Sequence, residues 1–590
     1  MSIESEQKLN DPNRITYIGN VDYRNKMIKF GIKAKDRTKH TYIIGKSGMG
    51  KSTILENMAI QDIQNGEGIA FMDPHGGTAE KLLDFVPEHR KKDVIYFAPF
   101  DREFPIALNV LEKVDENKRH LVANGLMAAF KKVFGEDRFS DRMQYILNNI
   151  ILTLLENEDE TLIGINRILS DKEYRKRMVE NVKDPSIRSF WLEEYAKAGE
   201  KYQQEAAPAI QNKIGQFTSN PLIRNIIGQK KTSFDIRDIM DNKKILIMNL
   251  SKGKMGEGNA DLVGSLLITK IYLAAMGRAD VDPYKLDNLP PFYFYVDEFQ
   301  NFANDSFANI LSEARKYQLA LTVAHQYVEQ MTDEVKAAIF GNVGTMITFR
   351  VGATDAEVFE KEFAPFFTAD DIVNLSAFQM YLRLMIDSVG SKPFSAVGLP
   401  PIEKPSSSFA EEIIELSRHT FGKSRDIVEE EIKNWYQPAI PEPKERVENN
   451  LEERKPHYQN AYPSFKKEEK WGDRKEEKRI DNIFSSPRVR SKRDDFKKER
   501  DTREVDLKDV RDDVEKKKSE LNQNNTSLKD ALAKAMQGEK SKIEIKPKEK
   551  PVQNTHKDSS INTNEKVKEE VKGSLKEVPE KVLRDLVDEE

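Results

Sequence analysis

Apolar residues fall along this chain in two rhythms. The runs HTYII (40–44), GIAFMD (68–73), DVIYFAP (93–99), KKILIMNLS (243–251), PFYFYVDEF (291–299), LALTVAHQ (319–326) and VGTMITFRVG (343–352) are almost unbroken. Continuous apolar runs of this kind predict strands buried on both faces. Between them apolar residues recur three and four apart, as where Leu55, Met58 and Ala59 share one face after the first run. Strand and helix in alternation predict an α/β fold with a mostly parallel sheet covered on both sides. ITYIGNVDYRNKMIKFGI (15–32) predicts a short hairpin ahead of that sheet, and QMYLRLMIDS with KPFSAVGLPP a closing pair of strands.

The rhythm changes twice. From 116 to 241 only the helical period remains, with Met143, Ile146, Leu147, Ile150, Ile151 and Leu154 forming one stripe. This predicts an all-helical insertion between two parts of the α/β domain, 1–115 and 242–403. Residues 404–436 predict a helical extension, with Ile413, Ile414 and Leu416 on one apolar face and Ile427, Val428, Ile432 and Trp435 on another. From 437 to 590 Lys, Glu, Asp and Arg dominate, leaving too little burial to offset the entropy of ordering, so a disordered charged tail is expected. Two short helical islands, at 527–536 and 578–587, stand out in it, read as transient helices in a solvated tail or, alternatively, as docking helices that order on a partner.

Composition sharpens this. The hydrophobic share of 590 residues is 38%, below the ~45–50% usual for globular chains, and the deficit lies after Pro401. A net charge of −5 excludes a generally basic coat, so nucleic-acid contact would have to be local. The absence of cysteine excludes disulfides, thiolate metal sites and cysteine nucleophiles. The first twenty residues lack the pattern of a signal peptide and no run of 18 apolar residues occurs, which predicts a soluble, cytoplasmic chain without its own transmembrane segment.

The sharpest chemistry lies between the first strand and helix. Gly45–Ser52, GKSGMGKS, matches GxxxxGK[ST] in the strand–loop–helix setting the motif requires. Such a match arises by chance in about 2% of chains this long. Gly45, Lys46, Ser47, Gly48, Met49 and Gly50 would turn backbone N–H groups inward around phosphates, with Thr53 just inside the helix whose dipole adds to the cradle. Lys51 would reach the β- and γ-phosphates, and the Ser52 hydroxyl would hold Mg2+. A P-loop hydrolase also needs a carboxylate at a neighbouring strand end to hold the metal and a second one to polarise water. Asp297 and Glu298, closing FYFYVDEF, fit those roles. Gln326, closing LTVAHQ, is a candidate γ-phosphate sensor. Asp73, closing GIAFMD, is divided between the nucleotide site and a turn, and His75 reads as structural.

The segments DRTKHTYIIGKSGMGKST, FMDPHGG, FYVDEFQNFANDSFANILSEARKYQLALTVAHQ and IFGNVGTMITFRVGATDAEVFEKEF together resemble the type IV secretion coupling proteins, conjugative DNA-transfer ATPases of the FtsK–HerA superfamily. The resemblance covers roughly 15–401. It implies a RecA-like P-loop motor that assembles as a homohexamer, hydrolyses ATP with Mg2+ at subunit interfaces and moves DNA through a central channel. It also implies an arginine donated by a neighbour to the γ-phosphate, and Arg315 in LSEARKYQ matches that finger, with Arg350 in TFRVG as the second candidate. Family members begin with transmembrane helices that this sequence does not show. Membrane association is therefore expected through partners, such as secretion-channel or relaxosome proteins engaged by the tail.

The expected function is an ATP-driven motor moving DNA without sequence preference. The alternative is a secretion or pilus-assembly ATPase that moves protein. Two flexible, locally basic stretches, GQKKTS (228–233) and SKGKMGEG (251–258), read first as solvated loops, with sequence-independent phosphate contact as the alternative.

Overall fold

In a buried strand successive side chains point to opposite sides, so each run must satisfy two cores. The computed structural model describes residues 11–437, apart from positions 198, 287 and 304. Its strands are β1 (Ile15–Tyr23), β2 (Lys26–Lys33), β3 (Thr41–Ile44), β4 (Gly68–Asp73), β5 (Val94–Phe97), β6 (Ile245–Asn249), β7 (Phe292–Val296), β8 (Leu319–His325), β9 (Thr345–Thr348), β10 (Gln379–Arg383), β11 (Met385–Ile386), β12 (Val389–Gly390) and β13 (Phe394–Gly398). Among the described residues, all but β11 and β12 form one sheet in the order β2-β1-β13-β10-β9-β3-β8-β7-β4-β6-β5. From β9 to β5 every neighbour is parallel, and from β9 outward to β2 every neighbour is antiparallel. Alternate residues face the two cores. Tyr42, Ala70, Met72, Phe294 and Val296 belong to one, and Ile43, Ile69, Phe71, Tyr293 and Tyr295 to the other.

The expected strands all form, and the hairpin and the closing pair become the antiparallel wing of the sheet. QMYLRLMIDS is shorter as a sheet strand than expected. After Arg383 the chain leaves the sheet, and β11 and β12 make a separate two-stranded ribbon.

Helices fill 116–241 as expected, including Arg119–Phe134, Asp141–Leu155 and Gly199–Thr218. The six-residue stripe from Met143 to Leu154 is buried throughout. Ser140 caps its helix by accepting from the Met143 N–H at 3.3 Å. These helices share one continuous core with a face of the sheet, so they are built onto the α/β layer.

Helix Glu257–Gly277 lies between sheet and insertion. It falls in the stretch Glu257–Asp280, long and apolar enough to cross a membrane by length and composition, yet 61% of its most apolar window is buried inside the fold. Helix Arg119–Phe134 packs against it.

Helices Ala410–Phe421 and Arg425–Tyr436 form the extension. The first covers the edge strand β5, where the Tyr96 N–H donates to Ser417 Oγ at 3.0 Å. A covered edge cannot pair with another chain. On the second helix Val428 and Ile432 are buried, but Ile427 is 53% exposed, because the i, i+4 pair already fills the stripe. The expected tail, 437–590 with its two islands, lies outside the described residues after Gln437.

One buried ion pair ties the helix Lys51–Gln64 to the rest. Arg37 grips Asp62 with both Nη atoms, at 2.6 and 2.8 Å, and both residues are buried. Arg37 also donates to Thr16 Oγ1 and to the Tyr295 hydroxyl, which in turn donates to Asp62. The guanidinium lies 3.7 Å from the centroid of the Tyr293 ring. Strands β1 and β7 and the helix therefore meet at one hydrogen-bonded network, in which both Nη atoms of Arg37 are engaged and its Nε is not.

Candidate active site

The loop after β3 rests on its neighbours through backbone bonds: Gly45 N–H donates to His325 O at 3.3 Å and Lys46 N–H to Arg350 O at 2.9 Å. Gly48 and Gly50 have φ of +77° and +118°, a region glycine reaches without penalty. At Gly45 a Cβ would meet Phe349 at 2.6 Å, so only glycine lets the loop lie against β9. Helix Lys51–Gln64 follows at once. Lys51 is buried, and its Nζ donates to Gly45 O at 2.7 Å and Lys46 O at 3.3 Å. Burial lowers its pKa, and the charges of Glu298 and Asp297 oppose that shift.

Asp297 comes from a strand that is not adjacent. Strand β8 separates β3 from β7, so the acidic pair crosses one strand to reach the loop. The expectation of a neighbouring strand is thereby corrected to the next but one. The Ser52 hydroxyl donates to Asp297 Oδ2 at 2.9 Å. Asp297 Oδ1 accepts the Glu298 N–H at 2.9 Å, which orients the carboxylate. Burial pushes the Asp297 pKa up, opposed by the Ser52 hydrogen bond and assisted by Glu298. One hydroxyl and one carboxylate suit Mg2+, which keeps waters and phosphate oxygens as its other ligands. Among the described residues no cluster of three metal-binding side chains occurs.

Glu298 stands with φ +45°, an uncommon conformation for a residue with a Cβ. Two amides hold its carboxylate: Gln326 Nε2 donates to Oε1 at 2.5 Å and Gln300 Nε2 to Oε2 at 2.6 Å. The loop, Asp297, Glu298 and Gln326 thus lie together at the carboxyl edge of the parallel strands, where open α/β sheets bind ligands.

Asp73 ends β4 at the same edge, but both its oxygens are engaged. They accept the N–H groups of His75 at 2.8 Å and Ala79 at 2.9 Å, which shapes the turn and caps the helix Gly77–Leu83. His75 itself is exposed. The two arginines separate. Arg350 follows β9 at the nucleotide edge. Arg315 is exposed and precedes β8, so the whole strand, roughly 20 Å, lies between it and Gln326. Arg315 cannot serve its own loop.

The two basic stretches are engaged within the chain. Lys252–Met255 is a short helix, with Lys252 paired to Glu257 and Asp261 and Lys254 to Glu80. In 228–233, Gln229 is buried, Lys230 pairs with Asp159 at 3.5 Å and Thr232 Oγ1 donates to Asn109 O. Partners within the chain already occupy most of these groups.

Sequence reasoning passed over His325, the last residue of β8. It is fully buried between Tyr42 and Phe299, with Nδ1 3.0 Å from the Tyr42 hydroxyl. Burial, reinforced by Lys51 and Lys132, lowers its pKa to about 3. A polar residue at the end of a wholly buried strand and next to Gln326 was the available signal. Gln300 was missed as well, though it follows the acidic pair by two positions.

Residues 26–376 match the family of the type IV secretion-system coupling protein DNA-binding domain. Solved structures similar to this chain include the bacterial conjugative coupling protein TrwBΔN70 in its unbound monoclinic form (13% identity, 69% of this chain and 92% of that one, TM-score 0.49). They also include VirB4 of Thermoanaerobacter pseudethanolicus (13%, 67% and 98%, TM-score 0.44). A curated protein, the DNA repair and recombination protein RadB of Methanococcoides burtonii, is 26% identical over 140 residues. That match spans 22% of this chain and 62% of the relative's length.

Proposed function

The chain belongs to the family of the type IV secretion-system coupling protein DNA-binding domain, and on that premise we propose that it is an ATP-driven motor that moves DNA. The observation that carries the proposal is the meeting of Ser52 with Asp297 at 2.9 Å, beside a buried Lys51 and a Glu298 held by Gln326 and Gln300. Lys51 and the loop N–H groups bind the nucleotide phosphates, and Ser52 and Asp297 are the Mg2+ ligands. When bound, Mg2+ offsets phosphate charge. Glu298 orients and polarises the attacking water, and Gln326 links that carboxylate to the γ-phosphate position.

Hydrolysis is assigned to interfaces between subunits of a homohexameric ring. Arg315, at the opposite edge of the sheet, is the residue we assign to a neighbour's γ-phosphate. Arg350 lies beside its own loop and is set aside as the trans residue. We place the protein in the cytoplasm, with partners as a route to the membrane. DNA binding follows the family and is taken to be independent of sequence.

The deciding experiment is ATP turnover with and without single- or double-stranded DNA. Stimulation by either is expected. Turnover unaffected by both would count heavily against DNA as the cargo.

A further inference from the structure

Among the described residues, Phe378 is the only phenylalanine, tyrosine or tryptophan with positive φ, at +66°. It is also 51% exposed. A bulky side chain in that region is disfavoured, and strain of this sort collects where a ligand is bound. Two backbone bonds hold it there: the Phe378 N–H donates to Met49 O of the glycine loop at 3.2 Å, and Phe378 O accepts from the Gly398 N–H at 2.9 Å. Its ring lies against the loop, since a Cβ on Gly50 would stand 3.3 Å from Phe378 Cδ1 and 3.2 Å from the Phe349 ring.

The sheet order says which part of a nucleotide this ring would meet. Phosphates belong at Gly48–Ser52, at the start of the helix. Glu298 and Gln326 stand on the β8 and β7 side of β3, the side of the γ-phosphate. Phe378 immediately precedes β10, on the other side beyond β9, and because β10 runs antiparallel to β9 its first residue lies at the same nucleotide edge. A nucleotide with its terminal phosphate towards Glu298 must send its sugar and base the opposite way, towards the exposed ring.

We propose that Phe378 is the platform on which the nucleotide base stacks. The ring carries no hydrogen-bonding group, so it reads a π-face and not an edge pattern. Adenine and guanine should therefore bind with little discrimination, as stacked bases generally do on aromatic platforms. The inference rests on the assignment of the loop to nucleotide phosphates and deepens it.

The test compares the full chain with Phe378→Ala, Phe378→Trp, Phe378→Gly and Lys51→Ala, titrated with ADP, GDP and inorganic tripolyphosphate in the presence of Mg2+. Phe378→Ala and Phe378→Gly should weaken ADP and GDP about tenfold, a fold-change within the range of one lost stacking contact, and leave tripolyphosphate unchanged. Phe378→Trp should retain ADP affinity. Phe378→Gly should melt no lower than the parent, because glycine accepts the positive φ. Unchanged ADP affinity in Phe378→Ala overturns the proposal, as does equal loss of tripolyphosphate, which would mean a distorted loop. Lys51→Ala should lose all three ligands. If the parent chain binds neither ADP nor tripolyphosphate, the nucleotide reading itself fails and the proposal falls with it.

Discussion

Ser52 and Asp297 lie 245 positions apart in sequence and share a hydrogen bond of 2.9 Å. Burial raises the Asp297 pKa above the ordinary 3.8, so the folded protein holds a proton on this group at a pH where an unfolded chain has released it. The ionised carboxylate therefore costs stability at neutral pH, and that cost is relieved as pH falls through the raised value. Metal binding needs the ionised form. The Mg2+ requirement for nucleotide binding, measured by titration from pH 7.5 downward, should rise at a higher pH than an ordinary aspartate would give. Asp297→Asn should abolish both the Mg2+ dependence and its pH response.

Glu298 is engaged by two amides and is assigned to water activation. Glu298→Gln should lower turnover by ~10²–10⁴-fold, the usual contribution of a general base, while nucleotide affinity stays within about threefold of the parent value by the same bookkeeping. Single-turnover measurement with bound ATP checks this. Comparable turnover in both proteins would remove Glu298 from the chemistry.

Arg315 and Gln326 sit at opposite ends of β8. An Arg315→Ala subunit should be inactive alone while retaining an intact glycine loop, and a Glu298→Gln subunit should be inactive for the complementary reason. Mixed in equal amounts they should recover part of the turnover, since some interfaces then combine an intact loop with an intact arginine. Recovery is read against each variant at the same total concentration. No recovery in demonstrably mixed rings would argue against a trans role.

The Arg37–Asp62 pair is buried and bidentate. Replacing only Arg37 with Met leaves Asp62 charged without its partner, and a cost of ~3–5 kcal/mol in unfolding free energy is expected. Adding Asp62→Leu should return much of that stability, because an apolar pair needs no compensation. Denaturant titration of the three proteins measures the difference.

Two buried histidines predict acid sensitivity. His40 accepts the Leu321 N–H on Nδ1 at 3.1 Å, and burial lowers its pKa to about 4. His325 is lowered to about 3. An unfolded chain takes a proton on each near the ordinary 6.5, while the folded protein does not, so their contribution to stability is lost as pH falls below that value. Between about 6.5 and 4 the slope from this pair should approach ~1.4 kcal/mol per pH unit for each histidine. His40→Asn should remove about half of it in melts across that range.

Most of the strands and the nucleotide loop were legible because their signals are local. An apolar run marks a buried strand, and GKSGMGKS constrains its own backbone. Even the roles of Asp297 and Glu298 could be inferred from an acidic pair at the end of such a run. The order of strands was not legible. Nothing within FYFYVDEF says that β8 will lie between it and the loop, because strand pairing is decided across hundreds of positions. Ion pairs were hidden for the same reason: SKGKMGEG reads as a basic loop until Glu80 and Asp261 are brought beside its lysines. Phe378 was invisible because exposure and a positive φ leave no mark in composition.

Strand β3 has β8 on one side and β9 on the other, both encoded beyond residue 318. On the helix that follows, Asn57 donates to Pro400 O and accepts from the Ile402 N–H. A nascent chain leaving the ribosome therefore carries its phosphate loop long before it can seat it, whereas the stripe from Met143 to Leu154 has helical neighbours close at hand. Maturation of the nucleotide pocket must wait until about residue 402 has been translated, and chains truncated earlier would carry the motif without the scaffold that gives it shape.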